Sequence, residues 1–258
     1  MSHEFRTPIT SVLGYTDLLR GSTVNAPEAE HYLDAIERGT RHLLALVDNL
    51  LEQAGIENGK LEIAPVATDL SRPFAEVVDL FQSLVRSKGL YLRFEGGDFP
   101  PRVMIDELRL RQILINLVGN AAKFTQEGGV VLRAEWQQGG LEISVTDSGP
   151  GIPPEARARI FRAFEQASQG RRVQGAGLGL SISNKLVQRM GGTLTLDPNF
   201  QSGSRFWVNL PAPLAASEPA EQVPSEPEQP EASILVAEDD PDLRVLMELT
   251  LARLPYQV

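Results

Sequence analysis

Cysteine is absent from this chain of 258 residues, and histidine is scarce, occurring at His3, His31 and His42. The missing thiols exclude a disulfide framework and a thiolate metal site, and histidines so dispersed argue against a metal cluster. Clustered basic residues are also missing, and 24 Lys and Arg against 34 Asp and Glu leave a net charge of −10. This balance argues against a nucleic-acid partner.

Long apolar runs are missing too. No stretch approaches the roughly 20 apolar residues that span a bilayer, and the N-terminus lacks the basic-then-apolar pattern of a signal peptide. We therefore expect this portion of the protein to be soluble.

Residues 1–56 have the pattern of a helical hairpin around a turn-forming stretch at 21–27. The second helix is expected from about Pro27 to Gln53. Apolar residues recur in both helices at alternating spacings of four and three, and this narrow seam is more than one hairpin can cover. Two hairpins are therefore expected to pair as a dimeric four-helix bundle. The seam residues are Phe5, Ile9, Val12, Thr16, Leu19, Leu33, Ile36, Thr40, Leu43, Val47 and Leu50.

Residues 61–212 alternate between strand and helix patterns, which predicts an α/β domain. Helices are expected over about 74–85, 107–124 and 178–190, and strands over 90–94, 103–105, 130–136, 141–145, 193–196 and 205–210. Residues 213–231 are acidic and rich in proline, which predicts a disordered linker. Residues 232–258 open with a buried-strand pattern followed by an acidic pair.

Polar residues recur on one face of the helix predicted over 107–124. Asn116, Asn120 and Lys123 fall within about 60° of one another at 100° per residue. An asparagine oxygen can complete a magnesium shell, and a lysine can neutralise a phosphate. A solvated helix face would have the same composition, so the pattern alone leaves both interpretations open.

Two glycine motifs follow. Asp147 comes directly after a strand and precedes Gly149 and Gly151, so its carboxylate can accept a hydrogen bond from an amine such as that of adenine. A glycine turn capped by aspartate would explain the same residues. The second motif, Gly175-Ala176-Gly177-Leu178-Gly179, opens a helix whose free amides suit phosphates. Between them, 157–174 resembles a mobile lid anchored by Phe161 and Phe164.

These motifs, in this order, resemble those of two-component sensor histidine kinases. The segment His3-Glu4-Phe5-Arg6-Thr7-Pro8 is similar to their phosphoacceptor box, 116–125 to the asparagine box, 161–164 to the phenylalanine box, and 147–151 and 175–179 to the glycine boxes. The resemblance implies an ATP-dependent kinase with two parts. A dimerisation and phosphotransfer hairpin would precede an α/β sandwich of the Bergerat type, the ATPase fold shared with DNA gyrase and heat-shock proteins.

The resemblance also implies roles for individual residues. Asn120 would bind magnesium with ATP, Lys123 would contact phosphate, and Asp147 would read adenine. His3 would accept the phosphoryl group, assisted by the neighbouring carboxylate of Glu4. Thr7 would assist the reverse, phosphatase reaction. Further residues implied to bind the nucleotide are Asn116, Gly149, Gly151, Phe164, Gly175, Gly177, Leu178 and Gly179.

Residues 232–258 resemble the opening of a response-regulator receiver domain, in which Asp239 and Asp240 would hold magnesium if the domain were complete. The implied partners are a second copy of the chain and a receiver domain, its own or separate. We expect a fragment of a hybrid kinase, cut at both ends. Its catalytic portion would be cytoplasmic, with any membrane anchor in a missing upstream sensor region.

Three alternatives stay open at this point. Thr7 and Pro8 would also serve as an N-cap and first helical residue, which would leave His3 in a frayed tail. The ATPase fold could drive a conformational machine of the gyrase type, although Asn116 stands where hydrolysing relatives carry a catalytic glutamate. The chain could also be a degenerate kinase that only dimerises.

Overall fold

Two antiparallel helices form the N-terminal hairpin: α1 spans Ser2–Gly21 and α2 spans Ala26–Glu57. The computed structural model describes residues 2–21, 24–57, 61–163, 165 and 177–216, without the side chains of 2–4, 48–49, 52–54 and 56–57. The hairpin predicted from the apolar seam is therefore present.

A capping box formed by Asn25 and Glu28 starts α2. The backbone N–H of Glu28 donates to Oδ1 of Asn25 at 3.0 Å, and the N–H of Asn25 donates to Oε2 of Glu28 at 3.4 Å. This reciprocal pair satisfies donors that the first helical turn leaves unpaired. It sets the start of α2 at Ala26, and the helix continues to Glu57, past the predicted end at Gln53.

The two helices approach closely at Gly39 of α2. A Cβ at this position would lie 2.8 Å from Cγ2 of Val12 and 3.5 Å from the carbonyl oxygen of Pro8. Pro8 lies inside α1 and is buried. A larger residue than glycine would therefore push α1 away from α2 at the proline.

The α/β domain follows with three longer helices, one short helix and seven strands among the residues described. Its elements are β1 (Val66–Thr68), α3 (Ser71–Ser87), β2 (Tyr91–Glu95), β3 (Val103–Ile105), α4 (Glu107–Phe124), β4 (Gly129–Gln137), β5 (Gly140–Asp147), α5 (Pro154–Arg157), α6 (Gly179–Arg189), β6 (Thr193–Leu196) and β7 (Ser204–Pro211).

Five of these strands form a mixed sheet in the order β2-β4-β5-β7-β6. The pair β2 and β4 is parallel, and the remaining pairs are antiparallel. The hairpin between β4 and β5 pairs Val130 with Asp147, so Asp147 lies at the end of the central strand. Strands β1 and β3 form a separate antiparallel pair.

Helices α3, α4 and α6 pack against the sheet and enclose the core. Alternate residues of β5 point into it, including Leu141, Ile143 and Val145. Each buried side chain of this size contributes about 1.5–3 kcal/mol through the hydrophobic effect. The architecture is the α/β sandwich that the sequence predicted, with α4 and α6 carrying the polar motifs.

The predictions missed two short elements, β1 and α5. β1 has three residues and α5 has four, so neither is long enough to display a period. Among the residues described, no helix combines the length and the apolar character needed to cross a membrane.

Candidate nucleotide-binding site

Helix α4 carries the polar face that the sequence predicts for the nucleotide-binding site. Its N-terminus is capped by Asp106, whose Oδ1 accepts the backbone N–H of Arg109 at 3.0 Å. Asn116 and Asn120 are half-buried, and Lys123 is exposed near the C-terminus. The opposite face enters the core through Leu114, Leu117, Val118 and Ala121.

Asn116 and Gly179 join α4 to α6. Nδ2 of Asn116 donates to Oγ of Ser183 at 2.7 Å, and its Oδ1 accepts Nδ2 of Asn120 at 3.4 Å. A Cβ on Gly179 would lie 2.0 Å from Oδ1 of Asn116. Glycine at the first residue of α6 is therefore required for this contact. The asparagine box and the second glycine box meet here.

Lys123 lies close to a second lysine. Nζ of Lys88 donates to the carbonyl oxygen of Ala122 at 2.7 Å, and so caps the C-terminus of α4. Partial burial and the charge of Lys88 lower the pKa of Lys123. The C-terminal carbonyl groups of a helix carry partial negative charge, which favours both ammonium groups at this end of α4. The exposed ammonium of Lys123 is the cation there that can contact an anion.

Asp147 is 6% exposed, and its carboxylate is held by backbone amides. Oδ1 accepts the N–H of Gly149 at 2.8 Å and the N–H of Ser204 at 3.2 Å. Burial raises the pKa of Asp147, and the hydrogen bonds from Gly149 and Ser204 oppose the rise. The carboxylate is therefore oriented by hydrogen bonds within the protein and is largely shielded from solvent.

Gly151 and Gly203 face each other beside Asp147. Gly151 has φ of +72°, and a Cβ there would lie 2.9 Å from the carbonyl oxygen of Gly203. Gly203 has φ of +135°, and a Cβ there would lie 1.9 Å from the carbonyl oxygen of Asp147. Both positions combine a left-handed backbone with a close approach, so they require glycine.

Arg157 ties the first glycine motif to the β6–β7 loop. Its Nε donates to the carbonyl oxygen of Ile152 at 3.1 Å, and Nη1 donates to that of Pro198 at 2.8 Å. The Phe161 ring packs edge-on against Phe206, with 6.4 Å between centroids. The structure thus describes the beginning of the predicted lid.

Several predicted site residues lie outside the described residues: Phe164, Gly175, Asp239 and Asp240. Gly177 and Leu178 are described, and Leu178 is buried directly before α6.

His3 and Glu4 belong to α1, although their side chains are not described. Because α1 already begins at Ser2, Thr7 does not cap its start, and the N-cap alternative is wrong. Thr7 is exposed one turn after His3.

Sequence reasoning missed Ser183, Ser204 and Lys88. Each contacts a predicted residue across the fold: Ser183 is 67 positions from Asn116, and Ser204 is 57 from Asp147. Serine and lysine are common, so no local pattern marks them. Only the packing of α3, α4, α6 and β7 brings these residues together.

Two protein families match the chain. Residues 105–214 match the family described as histidine kinase-, DNA gyrase B- and HSP90-like ATPase, and residues 1–59 match the His Kinase A phosphoacceptor domain. The catalytic domain of histidine kinase ThkA is 33% identical, with a TM-score of 0.51, and the match covers 58% of this chain and 96% of that one.

The chain belongs to the sensor histidine kinases.

Longer histidine kinases extend this similarity. Full-length ShkA, solved in complex with AMPPNP, is 38% identical with a TM-score of 0.65 over 84% of this chain and 45% of that one. Sensory/regulatory protein RpfC of Xanthomonas campestris is 38% identical over 95% of this chain and 36% of its own length. Signal transduction histidine-protein kinase BarA of Escherichia coli K12 is 38% identical over 81% and 24%. This histidine kinase chain therefore spans about a third or less of these curated relatives.

Proposed function

We propose that this chain is the catalytic part of a hybrid sensor kinase, which transfers the γ-phosphoryl group of ATP to His3 and then to an aspartate of a receiver domain. The contact between Asn116 and Gly179 carries the proposal, because it joins the asparagine box to the second glycine box. The similarity to ShkA, a protein solved with an ATP analogue, supports the same nucleotide.

The residues present fit an adenine nucleotide with magnesium. The carboxylate of Asp147, held by two amides, suits the exocyclic amine of adenine. The ammonium group of Lys123 suits phosphates, and the amide oxygen of Asn120 is a hard donor of the kind that magnesium prefers. Bound magnesium would neutralise phosphate charge. Gly149, Gly151, Gly177 and Leu178, with Phe164 and Gly175 beyond the described residues, would complete the walls.

His3 would act as the nucleophile in its neutral form. The lone pair of one ring nitrogen forms the N–P bond while the bond from the γ-phosphorus to the bridging oxygen breaks, and ADP leaves with that electron pair. The carboxylate of Glu4 takes the proton from the other ring nitrogen as positive charge develops. Thr7 would orient a water for phosphatase activity on the partner.

Exposed apolar residues support the homodimer. On α2, Leu33, Leu44, Val47 and Leu51 are exposed and fall within about 60° of one another at 100° per residue. The surface of Leu44, for example, is 60% exposed in the single chain. A second hairpin would cover this stripe and complete a four-helix bundle.

A receiver domain is the proposed acceptor of the phosphoryl group from His3. The match to RpfC covers 95% of this chain, so it includes part of 217–258, where Asp239 and Asp240 lie. Histidine kinase ThkA has been solved in complex with response regulator protein TrrA, at 29% identity and a TM-score of 0.62. Both observations favour a receiver as the partner.

Incubation with γ-labelled ATP tests the transfer. An acid-labile, alkali-stable label that is lost in His3→Ala supports the kinase. His31→Ala is the matched control, because His31 is an exposed histidine on the same hairpin and should leave labelling intact. Steady phosphate release without protein labelling would instead favour the gyrase-type machine, and neither labelling nor release would favour a dimerisation module.

A further inference from the structure

Ser183 lies on α6 with 1% of its surface exposed, and it accepts a hydrogen bond from Asn116 across the boundary with α4. We propose that Ser183 is a positioning residue, which acts through Asn116 to aim the oxygen of Asn120 at the magnesium ion. The inference rests on the proposed function, since it assigns a role toward the metal of that same site.

The three side chains form a directional chain of hydrogen bonds. Nδ2 of Asn116 is committed to Oγ of Ser183 at 2.7 Å, so Oδ1 of Asn116 lies on the other side of the amide. That oxygen accepts Nδ2 of Asn120 at 3.4 Å. The donor of Asn120 is thereby turned toward Asn116, and its oxygen, the atom that can bind a cation, is turned away from Asn116.

The reverse orientation of Asn116 is unfavourable at its contact with Asn120. Its NH₂ group would then face the NH₂ group of Asn120, and two donors do not pair. Gly179 permits this packing, because Oδ1 of Asn116 lies 2.0 Å from the place that a Cβ would occupy. Ser183, which is buried on α6, therefore anchors the side chain of Asn116 to that helix.

Removing the hydroxyl releases Asn116 to rotate, and Asn120 with it. A neutral hydrogen bond contributes modestly to stability, so its loss predicts an effect of about 3- to 10-fold rather than a complete loss. The variant should need more magnesium for nucleotide binding, whereas binding without metal should not change. Asp147 and Lys123, which we assign to adenine and phosphate, have no contact with Ser183 among the described hydrogen bonds.

The test measures binding of a fluorescent ATP analogue to the full chain, first in EDTA and then during a magnesium titration. For Ser183→Ala we expect the magnesium concentration at half-maximal effect to rise about 3- to 10-fold, with affinity in EDTA unchanged. The EPR spectrum of Mn²⁺ in the nucleotide complex should also change. Ser183→Thr keeps the hydroxyl and should restore the magnesium requirement.

Ser144→Ala is the matched control, because Ser144 is a buried serine on β5, cross-strand from Arg133 and Trp207. It should leave the magnesium requirement unchanged. Thermal melts of both variants establish that they fold. The inference is overturned if folded Ser183→Ala has the wild-type magnesium requirement, or if it loses affinity equally with and without metal, as mere packing of α6 would cause. Failure of the wild-type chain to bind nucleotide would instead overturn the proposed function.

Discussion

Asp147→Asn should weaken nucleotide binding and, at the same time, stabilise the nucleotide-free protein at neutral pH. Burial raises the pKa of Asp147, so the folded state carries a charge that is costly to bury. Asparagine has the same shape without the charge. Its Oδ1 can accept the same amides of Gly149 and Ser204, and the Ser204 hydroxyl can accept as well as donate.

The loss of affinity follows from the hydrogen bond that Asp147 is proposed to accept from adenine. Hydrogen bonds to charged groups contribute about 1.5–3 kcal/mol. At about 1.4 kcal/mol for each factor of ten, the dissociation constant should rise by about 10- to 150-fold. The NH₂ group of asparagine would also face the amine of adenine, and two donors do not pair. The rise in the dissociation constant should therefore lie toward the upper end of this range.

The stability effect has a defined dependence on pH. Because the folded pKa of Asp147 lies above its ordinary value of 3.8, the folded state binds the proton more tightly than the unfolded chain does. The contribution of Asp147 to the free energy of unfolding is therefore most favourable at low pH, and it is lost as the pH rises through the folded pKa. The advantage of Asp147→Asn should therefore be full at pH 7 and should shrink as the medium is acidified.

Urea unfolding without nucleotide, at pH 7 and at pH 4, measures this advantage, and isothermal titration with ATP measures the affinity. The reasoning would be refuted if Asp147→Asn were less stable than the wild type at pH 7, or if its advantage grew on acidification. Unchanged affinity for ATP would remove Asp147 from the adenine site.

Three other substitutions test separate contacts. Gly179→Ala places a Cβ 2.0 Å from Oδ1 of Asn116, so it should cost about 1–3 kcal/mol in urea unfolding and weaken ATP binding. Asp106→Asn keeps the cap of α4. It replaces Oδ2, which accepts the N–H of Ala64 at 3.0 Å, with an NH₂ donor, so this hydrogen bond is lost. Limited proteolysis between α2 and β1 should therefore become faster, while the affinity for ATP stays unchanged. Leu44→Glu puts a charge into the exposed stripe of α2, so light scattering should detect a monomer in place of the dimer.

Matched controls separate these effects from general damage. Gly14→Ala adds a Cβ with nothing within 4 Å, in the middle of α1, and should stabilise by about 0.5–1 kcal/mol. Leu18→Glu changes an exposed leucine on the side of α1 opposite Ile9, a residue of the predicted bundle seam that is exposed in the single chain, and it should leave the dimer intact. A dimer in Leu44→Glu, wild-type proteolysis in Asp106→Asn, or tight ATP binding by Gly179→Ala would each contradict the corresponding contact.

The sequence was informative wherever one local pattern determines the structure. Helix α4 has the predicted bounds, Glu107–Phe124, because an N-cap, an apolar face and a polar face all agree there. The β4–β5 hairpin was predictable because strict alternation surrounds a glycine pair. The predicted start of α2 at about Pro27 is one residue late, because Asn25 is typical of a turn but here forms a capping box with Glu28.

The candidate site was predictable as a set of motifs but not as an arrangement. The parallel pairing of β2 with β4 joins segments that no short-range rule connects. The close approach of Gly203 to the carbonyl of Asp147 likewise depends on the register of β7 against β5. Such contacts form only when distant strands and helices pack, which composition and periodicity do not encode.

Pro8 and Gly39 have a consequence for the kinetics of hydrogen exchange in the hairpin. Proline contributes no N–H to α1, and glycine is a weak helix former, so both helices have an unfavourable residue at the level where Gly39 approaches Pro8. Opening of α1 ahead of Pro8 should therefore require less free energy than opening of the segment after it. Backbone amides before Pro8 should exchange with solvent deuterium faster than those after Val12. The turn that carries His3 would then loosen without unfolding the rest of the hairpin.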